Sequence, residues 1–252
     1  MLDEWFGLVR SLVVYRRPGR QKALRRFYAE FVGPGTLVFD VGAHLGDRTA
    51  AFAGLGARVI ALEPQPRVAR WLRRLVGRRS DVVILEEAVG PREGTAHLAV
   101  SPRTPTVSTL SKRWREAMPD RNEGFRDVRW DAGIEVPVTT LDTLIDRYGV
   151  PDFCKLDIEG YEAEALAGLT HPVEALSVEF VRGGLDVAEA CVRRLAEIGP
   201  YRFNAVAGEE RHFRFDRWRS AQEALSWLED GAEDLPFGDL YARLTPPSQT
   251  ES

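Results

Sequence analysis

Leu37-Val38-Phe39-Asp40-Val41-Gly42-Ala43-His44-Leu45-Gly46 is the stretch that decides how the rest of the chain is read. A short apolar run ends on an acid, and a glycine-bearing turn then opens into a helical pattern. A parallel α/β sheet builds its ligand site this way, at the carboxyl end of the first strand. Dinucleotide folds use G-x-G-x-x-G there, so that the backbone approaches a pyrophosphate. Here Asp40 replaces the first glycine, and the remaining pair is spaced Gly42-x-x-x-Gly46. A carboxylate facing the ligand repels phosphate and suits an ammonium or sulfonium ion. S-adenosylmethionine carries both cations and no phosphate, so the turn favours a methyl donor over a nucleotide.

Outward from this turn the pattern is regular. Strands are predicted at 36–41, 57–63 and 81–86, with helices at 46–54 and 66–77 between them. Alternation of this kind with short links implies a parallel sheet with right-handed crossovers. After Gly90-Pro91 the rhythm changes. Residues 95–100 read as an extra strand with an extended partner at 135–138. The intervening 101–132 is rich in Pro, Ser, Thr and Arg. A loop this long inside a compact domain is usually functional or disordered, and we read it as a lid or acceptor-binding insertion at about 94–138. Regularity returns with helices at 140–148, 161–168 and 186–198 and strands at 152–158 and 174–181. Residues 200–207 and 210–216 read as a terminal antiparallel hairpin turning through Gly208. A covering helix follows, then a polar tail from about 245. The predicted organisation is a helical appendage at 1–30, the main domain at 31–216, and the covering helix and tail at 217–252.

Composition narrows the function classes. The chain has 252 residues, 44% hydrophobic and 29% charged, with a formal net charge of −4. That balance fits a globular protein with a sizeable core and gives no global case for nucleic-acid binding. Cys154 and Cys191 lie in apolar segments and are expected as buried reduced thiols. No apolar run reaches the length of a bilayer span, and the start lacks the basic region of a secretory signal. The expected address is the cytoplasm. Residues 2–15 place Leu2, Trp5, Phe6, Leu8, Val9, Leu12 and Val13 on one helical face, followed by a basic run through Arg26. They read either as a helix packed beside the domain or as a surface helix touching anionic lipid.

Candidate site residues cluster at the predicted strand ends. Glu63 follows Asp40 at the spacing of the acid that binds ribose hydroxyls in such sheets. Glu86-Glu87-Ala88 ends the third strand beside the same crevice, where one group would meet the adenine edge. In Lys155-Leu156-Asp157-Ile158-Glu159-Gly160, alternation sends three ionisable groups to one face of an otherwise apolar strand. Glu179 ends the neighbouring strand. Adjacent acids either raise one another's proton affinity or hold a hard divalent cation, and the sequence leaves both open. His44 and His97 are further candidate bases. Arg103, Arg113, Arg115 and Arg121 in the insertion hint at an anionic acceptor.

The segments around Asp40-Val41-Gly42, Thr140-Leu141-Asp142-Thr143-Leu144 and Lys155 to Gly160 resemble, in that order, the FkbM family of S-adenosylmethionine-dependent methyltransferases. The resemblance covers about 36–181. It implies a Rossmann-like class I fold: a seven-stranded, mostly parallel sheet with an antiparallel last strand and helices on both faces. It also implies methyl transfer to a hydroxyl oxygen of a sugar, glycan or other natural product. By the family pattern Asp40, Gly42 and Gly46 line the donor's methionine end, and Glu63 its ribose. Ala43 and His44 lie in the same turn and are expected at the cofactor, His44 against the donor's carboxylate or the incoming acceptor. Asp157 and Glu159 lie at the reacting centre. Ser108 is carried over from a Ser-rich stretch of the insertion. His44 stands where the family usually has Asn. Two rival readings remain: a nicotinamide-dependent oxidoreductase on a similar sheet, and a non-catalytic protein that binds S-adenosylmethionine.

Overall fold

The computed structural model describes residues 18–245; the amphipathic run at 2–15 and the polar tail lie outside them. Helix α1 (Arg20–Tyr28) precedes β1 (Leu37–Val41), α2 (Asp47–Gly54), β2 (Arg58–Leu62), α3 (Pro66–Leu75) and β3 (Val82–Leu85). Pro66 occupies the first turn of α3, where its missing N–H has no intrahelical partner to lose. Then come β4 (Ala88–Val89), β5 (Gly94–Val100), a helix α4 (Lys112–Arg121) and β6 (Ala132–Thr139). The chain continues as α5 (Leu141–Tyr148), β7 (Phe153–Leu156), α6 (Glu162–Ala167), β8 (Ala175–Val181), α7 (Leu185–Ile198), β9 (Tyr201–Ala207), α8 (Ala221–Glu229) and β10 (Phe237–Leu244).

Seven strands form one sheet in the order β3-β2-β1-β7-β8-β10-β9. β10 alone runs antiparallel to its neighbours, β8 and β9. This is the α/β architecture expected from the sequence, with the antiparallel strand last in the chain. Its location needs correction, however. Residues 210–216 form no strand with 200–207. Isolated backbone bonds, such as Arg214 N–H to Ala205 O at 2.7 Å, join them without a ladder. The buried Asn204 of β9 adds its side chain: its amide donates to Phe215 O at 2.9 Å and its Oδ1 accepts from Phe215 N–H at 3.0 Å. The vacant ladder of β9 is filled by β10, from Gly238 opposite Ala207 to Leu244 opposite Tyr201. The segment expected as helix and tail therefore supplies an interior strand, between β8 and β9. The insertion is built, too. β5 and β6 pair antiparallel as expected and form a small sheet with β4, while α4 docks Trp114 against the chain at Gly160 and Gly184.

Alternation along the strands creates two cores. Phe39, Val41, Ile60, Leu62, Cys154 and Leu156 face α5, α6 and α7. Val38, Val59, Ala61 and Phe153 face α1, α2 and α3. On that second face Phe153 lies among the rings of Tyr28, Phe31, Phe52 and Tyr241, with centroids 5.1 to 6.3 Å away. The cluster fastens α1 to the sheet. Both cysteines are buried and free. Phe153→Ala removes the ring that touches all four partners and should cost about 3–5 kcal/mol of unfolding free energy in a urea titration.

Candidate active site

A cavity of about 260 Å³ opens at the carboxyl ends of β1, β2, β7 and β8. Of the expected site residues, Asp40, Gly42, Ala43, His44, Glu63, Glu87, Ala88, Ser108, Asp157, Glu159 and Glu179 line it. Gly46 does not. It caps α2 at φ 82°, and a Cβ there would meet Leu72 at 2.6 Å, so this glycine serves packing of α2 on α3. Gly42 does two things. Its φ of 84° makes the turn, and a Cβ would lie 1.9 Å from the carbonyl oxygen of Asp157. Only glycine lets the end of β1 cross so close to the end of β7.

Asp40 is buried and accepts a 2.5 Å hydrogen bond from Thr49 Oγ1 on α2. Burial raises its pKa, against the pull of that bond and of Lys155 and Arg48. Glu63, 3% exposed, accepts backbone N–H groups from His44 at 3.1 Å and Gln65 at 2.9 Å. Burial still lifts its pKa to about 7. His44 sits at φ 48°, an uncommon region for a non-glycine residue. Burial pushes its pKa down to about 4, so the imidazole is neutral at physiological pH. Its backbone N–H, bound to Glu63, ties the first turn to the second.

The second half of the cavity is a charged seam. On β1 and β7, Asp40 and Lys155 are register partners, and on β8 and β10 so are Glu179 and Asp239. Lys155 Nζ donates to Asp157 Oδ2 at 2.7 Å and lies 3.9 Å from Asp239 Oδ1. Burial opposes the charge on this ammonium, but Asp157 and Asp239 outweigh it and raise its pKa. Asp157 responds in kind: burial pushes its pKa up, the ammonium pulls it down further, and the carboxylate stays ionised. Glu159 and Glu179 go the other way. Burial first, then the charge of Asp157, raises both well above the usual carboxylate range. Glu179 shares a hydrogen bond with Asp157. Carboxylate oxygens of Asp157, Glu159 and Glu179 lie within 4.8 Å of one another. Such a trio can share a proton or supply oxygen ligands to a hard cation.

Alternation along one strand explains Lys155 and Asp157 but not Glu159. β7 ends at Leu156, and Glu159 sits in a turn at φ 56°. Two groups hold that turn. Glu162 at the start of α6 accepts the N–H of Ile158 at 2.8 Å, with its own pKa raised to about 7 by burial. From the insertion, Thr109 Oγ1 donates to Glu159 O at 2.7 Å. Ser108 reaches Gln65 at 3.3 Å, so the insertion forms a wall of the cavity.

Other expectations fall away. His97 is exposed and pairs with Glu135 across β5 and β6, far from any role as base. Arg103, Arg113, Arg115 and Arg121 do not line the cavity. Arg113 pairs with Asp186, and Arg121 points to Gly183 O, joining the insertion to α7. Glu86 pairs with Arg73 outside, leaving Glu87 and Ala88 at the cavity. Asp239, Arg48 and Glu209 were missed. Arg48 bridges Asp47 and Glu209, and Arg20 of α1 bonds both as well. The hydrophobic run around Leu240-Tyr241-Ala242 was the signal for β10 and hence for Asp239.

The sequence matches the family profile described as Methyltransferase FkbM domain over residues 40–233. The chain belongs to this family. A sequence search among curated proteins finds no match. Solved structures with a similar course include the precorrin 8W decarboxylase of Methanobacterium thermoautotrophicum, at 13% identity and TM-score 0.46, covering 87% of this chain and 89% of that one. A putative rRNA-methylase from Clostridium thermocellum shares 10% identity at TM-score 0.45, covering 88% and 94%. Fibrillarin of Aeropyrum pernix, solved with S-adenosyl-L-methionine, shares 11% at TM-score 0.43, covering 84% and 68%.

For this FkbM domain the cation of the seam is the piece with a thermodynamic signature. Lys155→Met strands two carboxylates around a buried apolar chain. Loss of one partner of a buried pair costs about 3–5 kcal/mol, and the 35% exposure of the Asp157 side chain brings the expected loss to about 3 kcal/mol at pH 8. The stranded acids protonate as pH falls, so the variant should recover part of that loss at pH 5. Denaturant titrations at the two pH values measure it.

Proposed function

We propose that this FkbM domain moves a methyl group from S-adenosylmethionine to a hydroxyl oxygen of a small-molecule or glycan acceptor. The observation that supports the reading is a single cavity lined by the buried acid Glu63 at the end of β2 and by the carboxylates Asp157, Glu159 and Glu179 at the ends of β7 and β8. We assign Glu63 to the ribose hydroxyls of the donor. Asp40 and the Gly42-Ala43 turn lie between these acids. Bound there, S-adenosylmethionine supplies a methyl group already activated on a sulfonium sulfur. The ionised Asp157, fixed by Lys155, favours a cation at the centre. Glu159 or Glu179, acting in its ionised form, takes the hydroxyl proton as the oxygen attacks the methyl carbon and the C–S bond breaks to leave the neutral thioether. Because burial and Asp157 raise the proton affinity of both acids, turnover rises with pH. A nicotinamide oxidoreductase is disfavoured by Asp40, which stands where a pyrophosphate would approach. A binding protein without turnover has no use for the paired acids.

Glu159→Gln and Glu179→Gln are expected to keep donor affinity within a few fold, while at least one loses about 100-fold or more in kcat. A panel of hydroxyl-bearing acceptors with radiolabelled donor provides the readout. Full turnover by both variants contradicts the base assignment, and a strict requirement for Mg²⁺ would assign the trio to a cation instead.

Donor binding carries its own pH test. Glu63 accepts two ribose hydroxyls only when ionised, and its pKa before binding is about 7. Binding therefore releases a proton, and affinity for S-adenosylhomocysteine should rise from pH 6 to pH 8. Glu63→Gln should weaken binding by roughly 30-fold, about 2 kcal/mol for charge-assisted bonds, and flatten the profile. Calorimetry at the two pH values decides.

A further inference from the structure

Charge is divided unevenly along this chain. Residues 1–79 contain 15 of its 34 basic residues and only 6 of its 38 acidic ones. Most of those acids are used inside or lie outside the described residues: Asp40, Asp47 and Glu63 are buried. From residue 20 to residue 80, every exposed charged side chain is basic except Glu30. The fold gathers these bases on one side. α1, α2 and α3 cover the same face of the sheet, around a shared core. α2, largely buried, lies beside α1, and the carboxyl end of α2 is where the outer helices' cations meet. Arg25 of α1 passes against Gly54, and Arg79 beyond α3 donates to Ala53 O at 2.7 Å.

Helix carboxyl ends attract cations, and that accounts for Arg79 and Arg25. It does not account for the rest. Arg73 pairs with Glu86 and Arg79 with Asp81. Lys22, Arg25, Arg26, Arg70, Arg74 and Arg78 have no ion pair among the described residues, and Arg74 lies over the ring of Trp71 at 5.1 Å. Six uncompensated cations on one layer of a protein with net charge −4 form a local field that attracts a polyanion. No helix among the described residues is long and apolar enough to cross a membrane.

We propose that the outer face of α1 and α3 docks the protein on an anionic bilayer. The bilayer is favoured over a nucleic acid by the sequence that runs directly into α1. Its Trp5, Phe6, Leu8, Val9, Leu12 and Val13 recur at helical spacing, followed by Arg16 and Arg17. Apolar residues at this spacing in sequence, followed by a basic run, are the composition of interfacial anchoring, in which acyl contact and headgroup charge act together. The cavity opens at the strand ends rather than through this helix layer, so docking leaves it accessible.

The test is flotation of the full chain with vesicles containing about 30 mol% phosphatidylglycerol in phosphatidylcholine, beside pure phosphatidylcholine, at roughly 0.1 M salt. Binding to the anionic vesicles is expected, and high salt should weaken it. The Arg70→Glu, Arg74→Glu, Arg78→Glu triple variant should lose about tenfold or more in partitioning, with Tm and S-adenosylhomocysteine affinity unchanged. These readouts separate the docking face from the methyl-donor site. Failure of the full chain to bind anionic vesicles overturns the proposal. So does unchanged partitioning of a folded triple variant, and so does binding of single-stranded RNA in preference to the vesicles.

Discussion

The ammonium of Lys155 stands at the centre of the charged end of the sheet. It is nearly without solvent, bonded to Asp157 and within ion-pair reach of Asp239. Its neighbours across the ladder are Asp40 on β1 and Ser177 on β8. Without a cation at this position, the acids of β1, β7, β8 and β10 would face one another in a poorly hydrated space, and most would protonate. With it, one carboxylate stays ionised while the two beyond it bind protons tightly. Burial, the Lys155 ammonium and the charge of Asp157 together set different protonation states on residues a few ångströms apart, and the chemistry of the cavity follows from that difference.

The same face of the sheet changes character along its length. Toward the amino ends of the strands it is aromatic, with Phe153 and Tyr241 meeting Tyr28 and Phe52. Toward the carboxyl ends, the same alternation presents Asp40, Lys155 and Asp239. The aromatic half supplies stability and fixes the helices. α2 then carries Thr49 to Asp40, and α1 carries Arg20 to Asp47 and Glu209. Rigid packing below positions the polar groups above, which spares the site from relying on mobile loops. The exceptions are two turns held in unusual backbone conformations, at His44 and Glu159, and both are braced by a carboxylate: Glu63 on one and Glu162 beside the other.

Much of this was legible in the sequence because local signals and tertiary demands agree. The apolar run into Asp40 and the glycine turn read as a strand end, and the helical and strand periods from 36 to 198 match the structure within a few residues except around the insertion. There β4 and the helix α4 (Lys112–Arg121) stand in stretches read without regular structure. Lys155 and Asp157 share a face because the period-two rule holds up to the end of β7. The rule stops where the strand stops, so the placement of Glu159 depends on Thr109 and Glu162, which lie outside any local pattern. The error at the end of the chain has a clear cause. Residues 210–216 follow β9 closely and read as its natural partner, but they meet it only through isolated backbone bonds and the side chain of Asn204, not through a ladder. The true partner lies beyond α8. Strand order is a property of what remains unpaired after the helices pack, and a local reading cannot see it. Asp239 was lost with β10 for that reason. Gly46 illustrates the opposite case, a motif glycine whose role is helix packing rather than ligand contact.

One cavity joins the buried Glu63, which we propose for the donor's ribose, to the carboxylates Asp157, Glu159 and Glu179 across a seam fixed by Lys155. A crystal structure with S-adenosylhomocysteine tests it most directly. The account requires the ribose hydroxyls on Glu63, the amino-acid end beside Asp40 and the Gly42-Ala43 turn, and the sulfur directed at Asp157, Glu159 and Glu179. Ligand density elsewhere on the protein, or a pose with the sulfur turned away from those three carboxylates, would contradict it.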